Sequence, residues 1–246
     1  MPDLPEQQAP PVQRLRIRYA KRGRMRFTSH RDFSRAFERA LVRARTPVAY
    51  SSGFNPHPRV SYAGAAPTGS ASEAEYLEVG LAREVDPVEA ARSLDEALPE
   101  GLDILEAVAS AGGSLADRLE GSRWRITLPG VAATDASAAV AAFLRAEEVA
   151  VERMTKKGMR RFDCRSAVVS LAARGGSGNG AECAILDVVL RHGSPSVRPD
   201  DVLAGLREIA GLETSAAPLH ERLAQGPLDS RDGTVGDPLA PDRDAV

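Results

Sequence analysis

The sequence predicts an α+β protein made of two tandem ferredoxin-like halves, each in β-α-β-β-α-β order. Three observations carry this. Apolar and polar residues alternate with the two-residue period of a strand in several short stretches. Between them lie segments whose apolar residues recur every three to four positions, as on one face of a helix. The order of these segments repeats, once over residues 13–110 and again over 123–224, in the split βαβ arrangement.

The first half opens on Leu15-Arg16-Ile17-Arg18-Tyr19, which alternates as a half-buried strand does. Ser29-His30-Arg31-Asp32 reads as a capping box, with Ser29 at the N-cap and Asp32 three residues on. The helix it starts runs to about Arg45, with Phe33, Phe37, Ala40, Leu41 and Ala44 on its apolar face. Val48-Ala49-Tyr50 begins a short strand, and Tyr76 to Leu81 alternates as another. Pro87 stands at the start of a second helix carrying Val88, Ala91, Leu94 and Leu98 inward, and Pro99-Glu100-Gly101 ends it. Leu102 to Val108 closes the set as a strand.

In the second half Arg123 to Leu128 reads as a strand and Ala136 to Arg145 as a helix. Val149–Met154 and Ser166–Ala172 are expected to pair across Lys156-Lys157-Gly158, and an extra strand here would break the count. Ala184 to Leu190, rich in β-branched residues, is a strand; Pro199 to Ile209 is a helix, and Leu219 to Leu223 a last strand. Residues 111–122, with Gly112-Gly113, form a connector. Residues 1–12 hold four prolines without periodicity and are expected to be a disordered arm. Residues 225–246 are acidic, Gly/Pro-rich and free of aromatics, and are expected to be a disordered tail.

Several function classes lack sequence support. No apolar run approaches the roughly 18 residues of a membrane span, and the N-terminus has no basic-then-apolar leader pattern, so a cytoplasmic protein is expected. Cys164 and Cys183 form no CxxC pair and are read as reduced thiols. His30, His57, His192 and His220 are scattered, without HxxxH or HExxH spacing, so no metal site is expected. Neither GxxxxGK(S/T) nor GxGxxG occurs, and no cofactor is expected.

A formal net charge of −2 hides strong segregation. Residues 14–60 carry 13 Lys/Arg against 2 Asp/Glu, and residues 61–122 carry 3 against 13. The balance returns to 12 against 7 over 123–198 and falls to 4 against 10 beyond. Basic blocks can face phosphate while acidic blocks keep the protein soluble, or the blocks can neutralise one another.

Arg31, Arg35, Arg39 and Arg43 follow one another at four-residue spacing and make one cationic stripe on the first helix. Lys21, Arg22 and Arg24 add charge in a Gly-containing connector. The loop Ser51-Ser52-Gly53-Phe54-Asn55-Pro56-His57-Pro58-Arg59 holds a histidine between two prolines, each of which fixes its own φ and restricts the residue before it. Asn55, His57 and Arg59 are therefore candidate contacts to a bound anion. Lys156, Lys157, Arg160 and Arg161 form a second basic element, a hairpin tip with Gly158 at positive φ, and Phe162 is a candidate for stacking on a base. His57 and His30 are the candidate acid and base should the protein cleave RNA.

Together these residues resemble the bacterial radical-SAM-linked domain family of unknown function. The resemblance rests on Arg26-Phe27-Thr28-Ser29-His30-Arg31-Asp32, Arg35 to Ala40, Tyr50 to Pro58, Ser72 to Leu77 and Leu98 to Leu102. In the second half it rests on Lys156-Lys157-Gly158 with Asp163 and Arg165. It implies a module working beside a radical-SAM enzyme in RNA or ribosome maturation. The chain lacks the CxxxCxxC motif, so cluster chemistry would have to come from a partner protein. The leading expectation is an RNA-binding or substrate-presenting module for tRNA or rRNA. The alternatives are a metal-independent endoribonuclease and a protein-interaction adaptor.

Overall fold

The Leu15, Ile17, Tyr19 alternation becomes strand β1 (Gln13–Lys21), with all three side chains buried. The computed structural model describes residues 7–155, 158–176 and 183–245. The backbone divides into two compact units, Met1–Arg118 with Pro238–Val246, and Leu119–Asp237.

In the first unit β1 is followed by α1 (His30–Arg43), β2 (Val60–Ala63), β3 (Ala71–Leu81), α2 (Pro87–Ala97) and β4 (Leu102–Ala109). All pairings are antiparallel, giving the strand order β4-β1-β3-β2. Both helix starts are capped. The Asp32 amide donates to Ser29 Oγ at 3.2 Å, and the Glu89 amide donates to the Asp86 carboxylate at 2.9 Å, with Pro87 at the first helical position. The inner face of α1 buries Phe33, Phe37, Ala40 and Leu41 in one cluster with Leu15, Ile17, Leu77 and Val79. Phe33 stacks on Tyr19 with ring centroids 4.2 Å apart. Burying each such side chain stabilises the unit by about 1.5–3 kcal/mol.

Two local expectations need correction. Val48 and Tyr50 make only isolated bridges, to Leu81 and Pro58, and the strand lies beyond the proline loop, at β2. Pro58 has no amide hydrogen to extend a ladder from Tyr50. The expected disordered tail is instead structured in its described residues. A one-turn helix, Ala240–Arg243, belongs to the first unit, with Leu239 and Asp242 fully buried. Arg16 and Arg118 both donate to Asp242, at 2.8 and 2.6 Å, and so does the Ala111 amide, at 2.9 Å. At the other terminus the Val12 amide donates to the Leu81 carbonyl at 2.8 Å, so the arm is anchored at its inner end.

In the second unit β5 (Gly121–Pro129), α3 (Ala133–Arg145), β6 (Ala150–Thr155), β7 (Gly158–Asp163) and β8 (Val168–Gly175) come first. Then follow β9 (Cys183–Arg191), α4 (Pro199–Ala210) and β10 (Leu219–Gly226). The sheet order is β10-β5-β9-β8, again antiparallel. β6 and β7 pair with each other as a separate hairpin, which is the extra element that interrupts the βαββαβ count. The expected partner of Val149–Met154 was Ser166–Ala172; the chain in fact turns back at Gly158, at φ +105°, and β8 pairs with β9. Gly205 on α4 lets that helix approach Phe143 on α3: a Cβ at this position would lie 2.8 Å from the Phe143 ring. Residues 227–235 add a small ladder of Leu228–Asp229 with Thr234–Val235.

Candidate nucleic-acid interface

The apolar face of α1 fixes what its opposite face presents. With Phe33, Phe37 and Leu41 packed inward, Arg31, Arg35, Arg39 and Arg43 are all exposed. Arg43 donates to the Ala97 carbonyl at 3.2 Å. Among the described residues the side chains of Arg31, Arg35 and Arg39 make no ion pair or hydrogen bond. Arg35, Glu38, Arg39, Val42 and Arg43 line a shallow open groove on this face. Like charges one turn apart repel by a few tenths of a kcal/mol per pair, and Asp32, bonded to Ser29 at 2.6 Å, is held at the helix cap.

The carboxylates of the acidic segment go elsewhere. Glu78 accepts from Arg14 at 2.8 Å and from Arg16 at 3.0 Å, and Arg22 is held by Glu73 at 2.7 Å and Asp103 at 2.8 Å. β3 and β4 thus answer the arginines of β1 and of the turn after it, and leave the α1 stripe unanswered. Two of the residues expected on the phosphate track therefore sit differently. Lys21 is buried within β1, and the Arg22 guanidinium is occupied by two carboxylates. Arg24 is exposed, and the Arg26 guanidinium lies 4.6 Å from the centroid of the Phe27 ring.

The proline loop is closed by its own backbone. The Ser51 amide donates to the His57 carbonyl at 2.9 Å, and the His57 amide donates to Ser51 Oγ at 3.0 Å. Arg59 Nε donates to the Tyr50 carbonyl at 2.9 Å, so part of this guanidinium braces the loop. Asn55 and His57 are exposed, and Phe54 at the turn is 77% exposed. The loop runs directly into β2, and the rings of Tyr62 of β2 and His30 meet at right angles with centroids 4.7 Å apart. Burial pushes the Tyr62 hydroxyl up, a hydrogen bond with Ser34 opposes this, and Glu38 adds to the rise. Loop and N-terminal half of α1 therefore border the same short strand. Among the described residues no hydrogen bond links His30 to His57, and His30 is engaged with Tyr62.

In the second unit Arg160 and Arg161 are exposed on β7, whereas Lys156 and Lys157 lie outside the described residues. Phe162 is 8% exposed, and the Arg153 guanidinium lies 5.0 Å from its ring centroid. Arg153 is itself held by Asp201 at 2.5 Å. Phe162 is buried opposite Val151 of β6, so the expected base-stacking role does not fit its position. The most exposed aromatics among the described residues, neither read as a contact from the sequence, are Phe54 and Phe27, the latter 60% exposed. The available signal was that Phe54 lies outside any periodic apolar segment, so no buried face claims it.

A family described as uncharacterized protein conserved in bacteria (DUF2344) matches residues 14–199, which include β1, α1 and the whole proline loop. The chain belongs to this family. The DUF2344 match also takes in the β6–β7 hairpin. No curated protein matches the chain. Among solved structures, a variant of DypB from Rhodococcus jostii RHA1 in complex with heme is similar at 12% identity and a TM-score of 0.23, over 83% of this chain and 86% of that one. The encapsulated DyP-type peroxidase from Mycobacterium smegmatis is similar at 12% identity and a TM-score of 0.21, over 90% and 94%. Scores this low carry no argument about the fold or chemistry of the DUF2344 chain. No described helix is long and apolar enough to cross a membrane.

Proposed function

We propose that α1 and the 51–59 loop form an RNA-binding surface, and that the protein is an RNA-binding, substrate-presenting accessory module in RNA or ribosome maturation. The observation that carries this reading is the row of Arg31, Arg35 and Arg39, exposed and, among the described residues, in no ion pair even though Glu38 lines the same groove, on a unit whose other acidic residues bind other arginines. At 1.5 Å per residue the row is about 12 Å long, which suits a chain of phosphates better than a single small anion. His57 and Asn55 on the stiff neighbouring loop supply donors and acceptors for a base or sugar. Arg160 and Arg161 give the second unit an exposed basic element of its own.

The resemblance to radical-SAM-linked modules supports a radical-SAM enzyme as the partner that performs the chemistry. The two cysteines of this chain are one buried and one half-buried thiol. Titration of the protein with tRNA and with rRNA fragments over a salt series tests the reading. Affinity is expected to fall with salt at a log–log slope of about 0.7 per phosphate neutralised on a single strand. A flat salt response, or no binding, removes it.

A further inference from the structure

We infer that the nucleic acid bound at this surface is unpaired, and that Phe54 is its base-stacking platform. This rests on the RNA-binding reading above and adds to it the class of RNA. Arginines neutralise phosphates in any strand, paired or not. An exposed aromatic ring does discriminate, because a base inside a duplex already has both faces stacked, whereas an unpaired base has a free face to offer.

Phe54 is built to present a ring. It stands between Gly53, at φ +127°, and Asn55-Pro56, at the turn of a loop closed by the two Ser51–His57 hydrogen bonds. Two prolines and this closure reduce the ordering that binding would otherwise require. The loop that carries Phe54 runs into β2, and Tyr62 of β2 meets His30 at the start of α1, the helix that carries the arginine row.

The surroundings favour a base over an apolar protein groove. Asn55 and His57 are exposed neighbours of Phe54 in sequence, and the same unit carries the cationic face of α1. A single flat ring in a polar loop suits a base better than an apolar groove. An apolar protein partner would instead call for a contiguous hydrophobic patch.

The test uses the full chain and three labelled probes of equal length: a single-stranded RNA of mixed sequence, its duplex, and a strand of the same backbone without bases. Wild type is expected to bind the single strand more tightly than the duplex or the abasic strand. Phe54→Leu is expected to weaken single-strand binding by about 5- to 150-fold, the range for losing one stacked base. It should leave abasic binding and the salt slope unchanged, and Phe54→Tyr should restore affinity. If Phe54→Leu binds the single strand like wild type, or if the abasic strand binds as well as the natural one, stacking is overturned while RNA binding stands. If none of the probes binds wild type, both readings fall. If Phe54→Leu instead sheds a co-purifying protein and leaves RNA affinity intact, the surface is a protein contact and the inference is overturned.

Discussion

The guanidinium of Arg16 donates to both carboxylate oxygens of Asp242, at 2.8 and 3.0 Å, and neither side chain is exposed to solvent. Arg16 also donates to the carbonyls of Gly112 and Gly113 and to Glu78, so the buried charge has a nearly complete set of acceptors. Breaking a buried pair by removing one partner strands the other charge in a poor solvent. Asp242→Ala is therefore expected to destabilise the protein by about 3–5 kcal/mol, measured by urea unfolding.

The same carboxylate gives an acid-sensitive component of stability. Desolvation pushes the Asp242 carboxyl up, but hydrogen bonds from Arg118, the Ala111 amide and Arg16 outweigh it and hold it below its ordinary value of 3.8. A folded-state value below the unfolded one means the contribution is fully present above pH 3.8. It is then lost as the pH falls through the depressed value. Comparing unfolding free energies near neutrality and in acid, Asp242→Asn should show a shallower acid decline than wild type.

Replacing Arg35 and Arg39 by alanine should lower the log–log salt slope of RNA binding by about 1.4, the share of two phosphates on a single strand. Fold stability should change little, because neither side chain has a partner to lose. Arg22→Ala is the contrasting control. It strands Glu73 and Asp103, so its effect is expected in thermal unfolding more than in the salt slope. Fluorescence anisotropy over a salt series reads the first, and calorimetry the second.

Gly205 is a packing requirement in the second unit. Any Cβ there meets Phe143 at 2.8 Å, Val149 at 2.9 Å and the Cys164 sulfur at 3.0 Å. Gly205→Val is expected to cost about 1–3 kcal/mol in denaturant unfolding, because overpacking outweighs the few tenths of a kcal/mol of helix propensity that valine gains over glycine.

Cys164 should be chemically silent in the native state. Burial pushes its thiol up, with the charges of Asp163 and Asp201 adding to the rise, to about 12. At pH 8 it is expected to resist iodoacetamide while Cys183, half-buried, reacts first. Peptide mapping after alkylation, with and without denaturant, reads the difference.

The local signals were legible where they were also sufficient. Ser29 with Asp32, and the spacing of Phe33, Phe37 and Leu41, set the start and the buried face of α1, and through these the direction of the arginine stripe. Arg16 could not be read this way. Strand alternation puts it on the face opposite Leu15 and Ile17, but whether that face meets water depends on a carboxylate 226 positions away. The tail composition was misleading for the same reason, since one acidic residue that completes a distant charge cluster looks like any other. Phe162 shows the reverse case: its basic neighbours suggested exposure, and the pairing of β6 with β7 turned it inward. Exposure of Phe54 depends on how the proline loop closes, which no periodicity encodes.

The first unit is discontinuous, because the segment carrying Asp242 returns to it only after all of Leu119–Asp237 has intervened. On the ribosome, Arg16 and Arg118 therefore emerge long before their shared carboxylate, and the first half to be synthesised is the last to be finished. The nascent first half must wait without the carboxylate that Arg16 and Arg118 share, Arg16 keeping only Glu78 as an acidic partner, while the second half is completed. Expression of residues 1–118 alone reproduces that unfinished state, and supplying 238–245 as a peptide or by a short linker is the direct way to complete it.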